Sequence, residues 1–456
     1  MKTNKILTLA SIASACVFAD ATAPVVPTVS NVSIDQDRSR NVTITYTLAN
    51  GPAVVTFDIQ TNYVDGAETK WVSIGGRNIS HYSGGNCLVT GEGVHTITWH
   101  AEKSWPDKKI AAGGVRAELT AWAPDNTPDY MVVDLAEQSN SRVRYYASTN
   151  DLPGGLLENE AYRTTHLVMK RIHAKGKSFT MGSYFEGGRT PSTEMTHTVT
   201  LTNDYYLGVF ELTQGQWAMI KGTDISAKFT HPQQRQLRPM ENISYCMMRL
   251  AANNTEDLGY WYPNAPHPES FLGILRSRSG IDFDLPSEAQ WEFAGRAGQG
   301  EGKYGNGAVY EYINMRPSEG SMPPGRYIYT WADPSAEISS DAQMAATSPE
   351  NGTAVCGSYP PNAFGLYDMH GNVYDFCLDW YKADITALGG AVNVEDGDVY
   401  AAPGKDYDGK RAIVRKGGNW GQSSTSRLRA SDRQCDPSTG RAVYNGFRLK
   451  CTAGLK

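Results

Sequence analysis

The chain has 456 residues, 40% hydrophobic and 20% charged, an ordinary balance for folded protein that excludes extensive disorder. Its formal net charge of −6 and pI near 5.9, without any run of lysines or arginines, exclude nucleic acid as a general partner, because a polyanion binder carries a basic face. The length accommodates more than one domain.

At the N-terminus Lys2 and Lys5 precede an apolar run from Ile6 to Phe18, and Val17-Phe18-Ala19 supplies small residues where a signal peptidase reads. This pattern predicts a secretory signal peptide over residues 1–19, cleaved after Ala19. A rival reading takes Ala13-Ser14-Ala15-Cys16 as a degenerate lipoprotein box with a lipid anchor on Cys16. No transmembrane segment is expected, since no stretch approaches the roughly 20 apolar residues of a membrane helix. The expected destination is therefore outside the cytoplasm: periplasm, cell surface or extracellular medium. Without Cys16, the cysteines are Cys87, Cys246, Cys356, Cys377, Cys435 and Cys451, an even set that permits disulfides in an exported chain. No Cys-x-x-Cys occurs, against a zinc ribbon or thioredoxin-like site.

Residues 20–150 read as a β-sandwich domain. Val42 to Leu48, Ala53 to Ile59, Val94 to His100 and Val115 to Trp122 alternate apolar and polar side chains between Asn-Gly and Gly-Gly breaks, as antiparallel strands with one buried face do. Strands so spaced suggest an all-β sandwich of immunoglobulin or fibronectin type, which Cys87, alone in this region, cannot staple internally. Leu152-Pro-Gly-Gly-Leu156 begins nothing regular and predicts a linker over residues 151–164. Further along, Ser287 with Gln290 forms a capping box behind Pro286, so a helix is predicted from Ser287, with Trp291 and Ala294 on its apolar face and Gly298 near its end.

The most distinctive stretch is Tyr359 to Tyr381, Tyr-Pro-Pro-Asn-Ala-Phe-Gly-Leu-Tyr-Asp-Met-His-Gly-Asn-Val-Tyr-Asp-Phe-Cys-Leu-Asp-Trp-Tyr. With Gly176 to Ser183, Tyr206 to Thr213, Arg238 to Tyr245, Leu285 to Gly298, Arg415 to Trp420, Arg427 to Ala430 and Asn445 to Leu449, in that order, it resembles the formylglycine-generating enzymes, or sulfatase-modifying factors. The resemblance covers residues 165–451 and predicts a domain over residues 165–456. It implies an α+β domain related to the C-type lectin fold, for which 45 glycines and 25 tyrosines suit a loop-rich architecture. Fold does not assign activity.

In enzymes of that family two cysteines shortly after the Gly-Gly-Ser motif bind copper(I), which prefers soft thiolates. The corresponding segment here is Gly417-Gly-Asn-Trp-Gly-Gln-Ser-Ser-Thr-Ser426, in which the resemblance places the family's serine on Asn419, its first cysteine on Gln422 and its second near Ser424 to Ser426. Copper is accordingly not expected. The related ergothioneine-pathway synthases carry a helical iron module, whereas residues 20–150 read as strands. A third branch, of periplasmic or surface relatives without the copper pair, fits better. The resemblance then implies a cleft at Asn419, Trp420, Gln422, Arg427 and Arg429 for a peptide or glycan ligand, with Trp420 facing outward, or an accessory role. The alternative is a divergent oxidoreductase acting on a peptide or secondary metabolite. The same resemblance implies a calcium site on His370, Gly371, Asn372, Val373 and Asp375, with Asn372 and Asp375 as side-chain ligands and the others through carbonyls. A second calcium site near Asp333, Asp341 and Asn351 is also implied. The competing expectation for these residues is that Asn372 caps a turn and Asp375 faces Arg448. Arg427 and Arg429 are equally readable as internal partners of buried carboxylates. Cys435 and Cys451 are expected to be structural, as in a terminal disulfide.

Overall fold

The computed structural model describes residues 26–106, 113–137, 142–184, 190–223, 225–226, 232–251, 258–298, 353–388, 411–420 and 425–455, with the backbone of four short strands between 312 and 395. The predicted signal peptide, Gln422, Asp333, Asp341 and Asn351 lie outside the described residues.

The four alternating runs read from the sequence all fall on strands among the first eight. β1 (Thr28–Gln36), β2 (Asn41–Ala49), β3 (Ala53–Asp65), β4 (Glu68–Ser73), β5 (Tyr82–Ser83), β6 (Cys87–Val89), β7 (Gly93–His100) and β8 (Val115–Trp122) form two sheets, ordered β1-β2-β7-β5 and β4-β3-β6, with β8 pairing β3. A short helix, α1 (Ala101–Ser104), follows β7. In β2 every second residue from Val42 to Leu48 is buried, and these meet Ala53, Val55, Phe57 and Ile59 of β3 and Ile97 and Trp99 of β7 in one core. Period-two burial on both sheets encloses the apolar face between them.

The chain then changes partners earlier than the boundary expected at residue 150. β9 (Tyr130–Asp134) and β10 (Val143–Tyr146) join β11 (His166–Ile172), β14 (Tyr205–Gly208) and β23 (Lys450–Thr452) in a five-stranded sheet ordered β10-β9-β11-β14-β23. β9 is thus hydrogen-bonded to the C-terminal part of the chain through β11, and β10 joins that sheet through β9. The segment predicted as a linker is packed: Leu152 and Leu156 are buried with Tyr130, Tyr146, Tyr162 and Phe210.

β12 (Lys177–Met181), β13 (His197–Leu201) and β19 (Val394–Glu395) make a second sheet, β15 (Tyr312–Met315), β16 (Gly325–Tyr329) and β17 (Glu337–Ile338) a third, and β18 (Tyr374–Trp380), β20 (Ala412–Lys416), β21 (Gln434–Pro437) and β22 (Asn445–Gly446) a fourth ordered β21-β20-β18-β22. Four helices pack among them: α2 (Gln214–Lys221), α3 (Tyr245–Arg249), α4 (Phe271–Ser279) and α5 (Glu288–Arg296). α2 and α5 both start with capping boxes, Thr213 with Gln216 and Ser287 with Gln290, which satisfy otherwise orphaned amides. α5 ends where Ala297 turns left-handed at φ 48°, just before Gly298. The two-ring core between helices is tight: Trp217 lies flat on Phe271 at 4.7 Å between centroids, and Trp261 stacks on Trp380 at 4.5 Å. Much of the C-terminal part is ordered loop.

The six described cysteines are all unbridged, which corrects the disulfide expectation. Cys435 sits opposite Val414 in the sheet of β20 and β21, whereas Cys451 sits opposite Tyr206 in the sheet of β14 and β23. These two cysteines are committed to different sheets.

Candidate functional site

The segment that the sequence singled out as a cleft begins where β20 ends, and backbone proximity dictates its glycines. Gly417 adopts φ 89°, and a Cβ there would stand 2.9 Å from the Met369 carbonyl oxygen. Gly418, at φ 76°, would press on the Leu428 side chain at 2.4 Å. The two loops containing Met369 and Leu428 therefore close directly on the Gly-Gly turn.

Charge around this turn is paired inward. The Arg429 Nη1 and Nη2 donate to the two carboxylate oxygens of Glu194 at 2.6 and 2.9 Å, and Nη1 also donates to Ser431 Oγ at 2.8 Å. Arg433 grips Glu288 in the same two-pronged way, at 2.6 and 2.9 Å. Lys416 Nζ lies 3.1 Å from Glu292 and 3.5 Å from Glu288, and Arg296 donates to Glu292 at 2.8 Å. Burial pushes the Glu292 carboxyl upward, but Lys416 and Arg296 outweigh it and hold the group at about 2. Asp432 has the opposite balance: burial and the charge of Glu194 raise its carboxyl to about 6, against the pull of Arg429 and Arg427. Arg427 keeps 43% of its side-chain surface exposed and lies 3.7 Å from Asp432.

These contacts reassign the predicted cleft. Asn419 and Trp420 are buried, and the outward-facing Trp420 expected from the sequence instead donates from Nε1 to the Val443 carbonyl at 3.0 Å and packs on Tyr444. Trp420 is large and mostly apolar, so the fold uses it to pin the loop. Arg429 is an internal ion-pair partner. Arg427 alone among the described members of the cleft presents a substantially exposed charge.

The predicted calcium residues come together, but in protein contacts. His370 is buried, donates from Nδ1 to the Leu428 carbonyl at 2.6 Å and is held down to about 4 by burial, so it is neutral. The Gly371 amide donates to the Gly417 carbonyl at 2.7 Å. Asn372 Oδ1 accepts from the Ala354 amide at 2.8 Å, its Nδ2 donates to Glu211 at 2.7 Å, and its carbonyl accepts from the Trp420 amide at 2.8 Å. The Val373 amide donates to the other Glu211 oxygen at 3.1 Å. Asp375 Oδ2 accepts from Arg448 Nε at 2.6 Å and from Trp291 Nε1 at 2.8 Å, while Oδ1 is buried without a hydrogen-bond partner. Calcium takes six to eight oxygens. Here the two side-chain ligands offer one uncommitted oxygen between them, so this ligand set does not fit a calcium ion, and the rival pairing of Asp375 with Arg448 is the observed one.

Three residues at this centre escaped sequence reading. Glu211 is buried where it follows β14, and burial together with Asp368 and Asp375 raises its carboxyl well above the ordinary range. Asp368 is raised to about 6, chiefly by burial. Cys356 lies against Glu211, with Sγ 3.8 Å from Oε2. A signal existed for Glu211: a lone acid between Val209-Phe210 and Leu212 in an apolar run.

A cavity of about 320 Å³ opens where the N-terminal strands meet the five-stranded sheet, lined among others by Tyr82, Tyr146, Tyr162, Arg142, Arg144 and His166. The Tyr82 and Tyr146 hydroxyls are 2.7 Å apart, and the Arg144 guanidinium lies 4.9 Å over the Tyr82 ring.

A family model described as the sulfatase-modifying factor enzyme 1-like domain matches residues 159–453. The chain belongs to this formylglycine-generating-enzyme family. It is similar to the formylglycine-generating enzyme of Thermomonospora curvata, 30% identical over 169 residues that cover 36% of this chain and 48% of the relative. The chain thus spans about half the length of that enzyme. It is also similar to the chaperone protein LppX of Paenibacillus barcinonensis, 26% identical over 43% of this chain and 70% of the relative. The inactive Cα-formylglycine-generating enzyme 2 of Bos taurus is 31% identical over 25% of this chain and 33% of its own. Among solved structures, PvdO from Pseudomonas aeruginosa matches with a TM-score of 0.40 and 21% identity over 63% of this chain and 94% of that one.

Family membership turns attention to thiols. From Gly417 to Gln434 the sequence contains no cysteine. Burial pushes all six described thiols up, Cys246 and Cys435 to about 11 and Cys451 to about 12, with Cys87, Cys356 and Cys377 also raised. Thiolate is the reactive and copper-binding form, and burial in an apolar site withholds it.

Proposed function

We propose that this chain is an exported member of the family that does not install formylglycine and serves instead as a binding or accessory module for a peptide or glycan. The observation that carries this reading is the missing thiol pair after Gly417-Gly418, in a segment where Gln422 and the stretch Ser424 to Ser426 stand in its place. Its similarity to a relative named as an inactive enzyme supports the same branch. On this reading residues 28–122 are an immunoglobulin-type spacer, and the remainder is a lectin-related platform. The inward pairing of Arg429 and Arg433 removes the old cleft as the ligand seat. The cavity beside Tyr82, Tyr146 and Arg144 offers phenol hydroxyls, aromatic faces and guanidinium groups, the mixed surface that sugars and peptides use.

The test incubates the full chain with copper(I), oxygen and a peptide carrying a cysteine in a sulfatase-type motif, and follows the cysteine by mass spectrometry. The peptide is expected to return unchanged, and immobilised chain is expected to retain members of a glycan or peptide array in a manner weakened by Arg144→Ala. Conversion of the cysteine to the aldehyde overturns the proposal. Array binding indifferent to Arg144 overturns the assignment of the cavity.

A further inference from the structure

Glu211, Cys356 and Asp368 each turn one ligand-type atom to a common point, and these atoms all lie within 4.8 Å of one another in three buried residues. They come from parts of the chain far apart in sequence: the end of β14, the approach to the aromatic segment, and the turn before His370. The 3.8 Å between Cys356 Sγ and Glu211 Oε2 is informative. Two ligands of a tetrahedral zinc ion, with Zn–S of about 2.3 Å and Zn–O of about 2.1 Å, stand roughly 3.6 Å apart.

Asp375 supplies an independent observation. It is 1% exposed, and its Oδ1 is buried without a hydrogen-bond partner although Oδ2 has two. Arg448, which donates to Asp375 Oδ2, also donates to the Asp368 carbonyl at 3.3 Å, and the charge of Asp375 acts on both Glu211 and Asp368. Asp375 therefore acts on the group by its charge, while the atoms that converge are those of Glu211, Cys356 and Asp368. Ionised, Glu211, Cys356, Asp368 and the neighbouring Asp375 carry four negative charges, and the guanidiniums that act on them are those of Arg163 and Arg448. One divalent cation closes the difference.

Outer contacts already orient the donors as a closed metal site requires. Asn372 Nδ2 and the Val373 amide hold the Glu211 carboxylate, and the Gly357 amide donates to Asp368 Oδ2 at 2.7 Å. We propose that Glu211, Cys356 and Asp368 bind a zinc(II) ion. A thiolate selects a softer cation than calcium, and three buried donors that include sulfur suit four-coordinate zinc rather than an oxygen-rich calcium cage. Binding releases the thiol proton and any proton on the carboxyls, so the ion enters as the chain folds.

The experiment uses the full chain, refolded or expressed with zinc and then dialysed. Elemental analysis is expected to find one zinc per chain in the wild type and in Cys246→Ala, which removes a buried thiol elsewhere, and none in Cys356→Ala. Cobalt(II) in place of zinc is expected to show a sulfur-to-metal charge-transfer band in the near ultraviolet that Cys356→Ser abolishes. Asn372→Ala, which releases Glu211, is expected to weaken zinc binding about 10–100-fold. A wild-type chain that retains no zinc, one that retains calcium in its place, or a cobalt form without the thiolate band overturns the proposal. The cobalt spectrum of the wild type decides the matter even where a variant fails to fold.

Discussion

Replacing Glu194 by alanine removes the two-pronged partner of the buried Arg429 guanidinium and leaves it with the carboxylate of Asp432, 4.0 Å away. The two side chains retain 2% and 1% of their surface, and both carboxylate oxygens are engaged. Removing one partner of such a pair typically costs about 3–5 kcal/mol, because the remaining charge cannot reach water. For a domain of this size each kcal/mol moves the melting temperature by roughly 2–4 °C, so Glu194→Ala is expected to lower it by on the order of 10 °C. The double variant Glu194→Met with Arg429→Met removes both charges and is expected to recover most of that loss, since apolar residues of similar volume often replace buried pairs without penalty. The assay is thermal and urea unfolding of the full chain, followed by tryptophan fluorescence. A Glu194→Ala chain within about 1 kcal/mol of wild type would show that Arg429 is not bound to Glu194 in solution, and would reopen Arg429 as a ligand-binding group.

Two further outcomes follow from the same chemistry. Asp432 has a folded value of about 6 against 3.8 for the free group, so its protonated form is favoured by folding. The stability it contributes is complete below about pH 4 and is lost as pH rises through about 6, so Asp432→Asn should flatten the pH profile of unfolding between those values; an unchanged profile refutes the assignment. The unbridged cysteines give the second outcome. Denatured chain alkylated without reductant is expected to carry a label at each of Cys87, Cys246, Cys356, Cys377, Cys435 and Cys451, whereas native chain labels slowly because burial suppresses the thiolate. Any pair that resists alkylation until reduced contradicts the structure.

Local rules made part of this molecule readable in advance. Alternation predicted β2, β3, β7 and β8, because a strand's two faces repeat every second residue whatever it pairs with. The start of α5 was equally legible, since Ser287 and Gln290 complete a box within four residues. The partner of a strand is not a local property. Nothing near Tyr130 to Tyr146 announces that β9 pairs with β11, and β10 with β9, rather than with the sheets before them. The same holds for charges: Arg429 and Glu194 are 235 positions apart, and Arg433 and Glu288 are 145. Sequence inspection identified the arginines beside Gly417-Gly418 and left open whether they faced a ligand or a carboxylate. The fold supplies the carboxylates.

That inward turn of charge has a physical cause in the architecture. A loop-rich domain has few backbone ladders to hold distant segments in register, and buried side-chain pairs with fixed geometry take over the task. α5 shows how: Glu288 and Glu292 sit on one face of a single helix turn and together gather Lys416 from β20, Arg433 from the approach to β21 and Arg296 from the helix itself. Each cation anchors a different loop to the same helix, and the guanidinium forks set direction as well as distance. Arg448 does likewise at the neighbouring centre, donating to Asp375 and to the carbonyls of Gly208, Tyr367 and Asp368. Such a frame stays rigid whether or not chemistry occurs on it. The residues that close the turn at Gly417-Gly418 are thus glycines, buried arginines and buried glutamates, the charged ones held by partners far away in sequence.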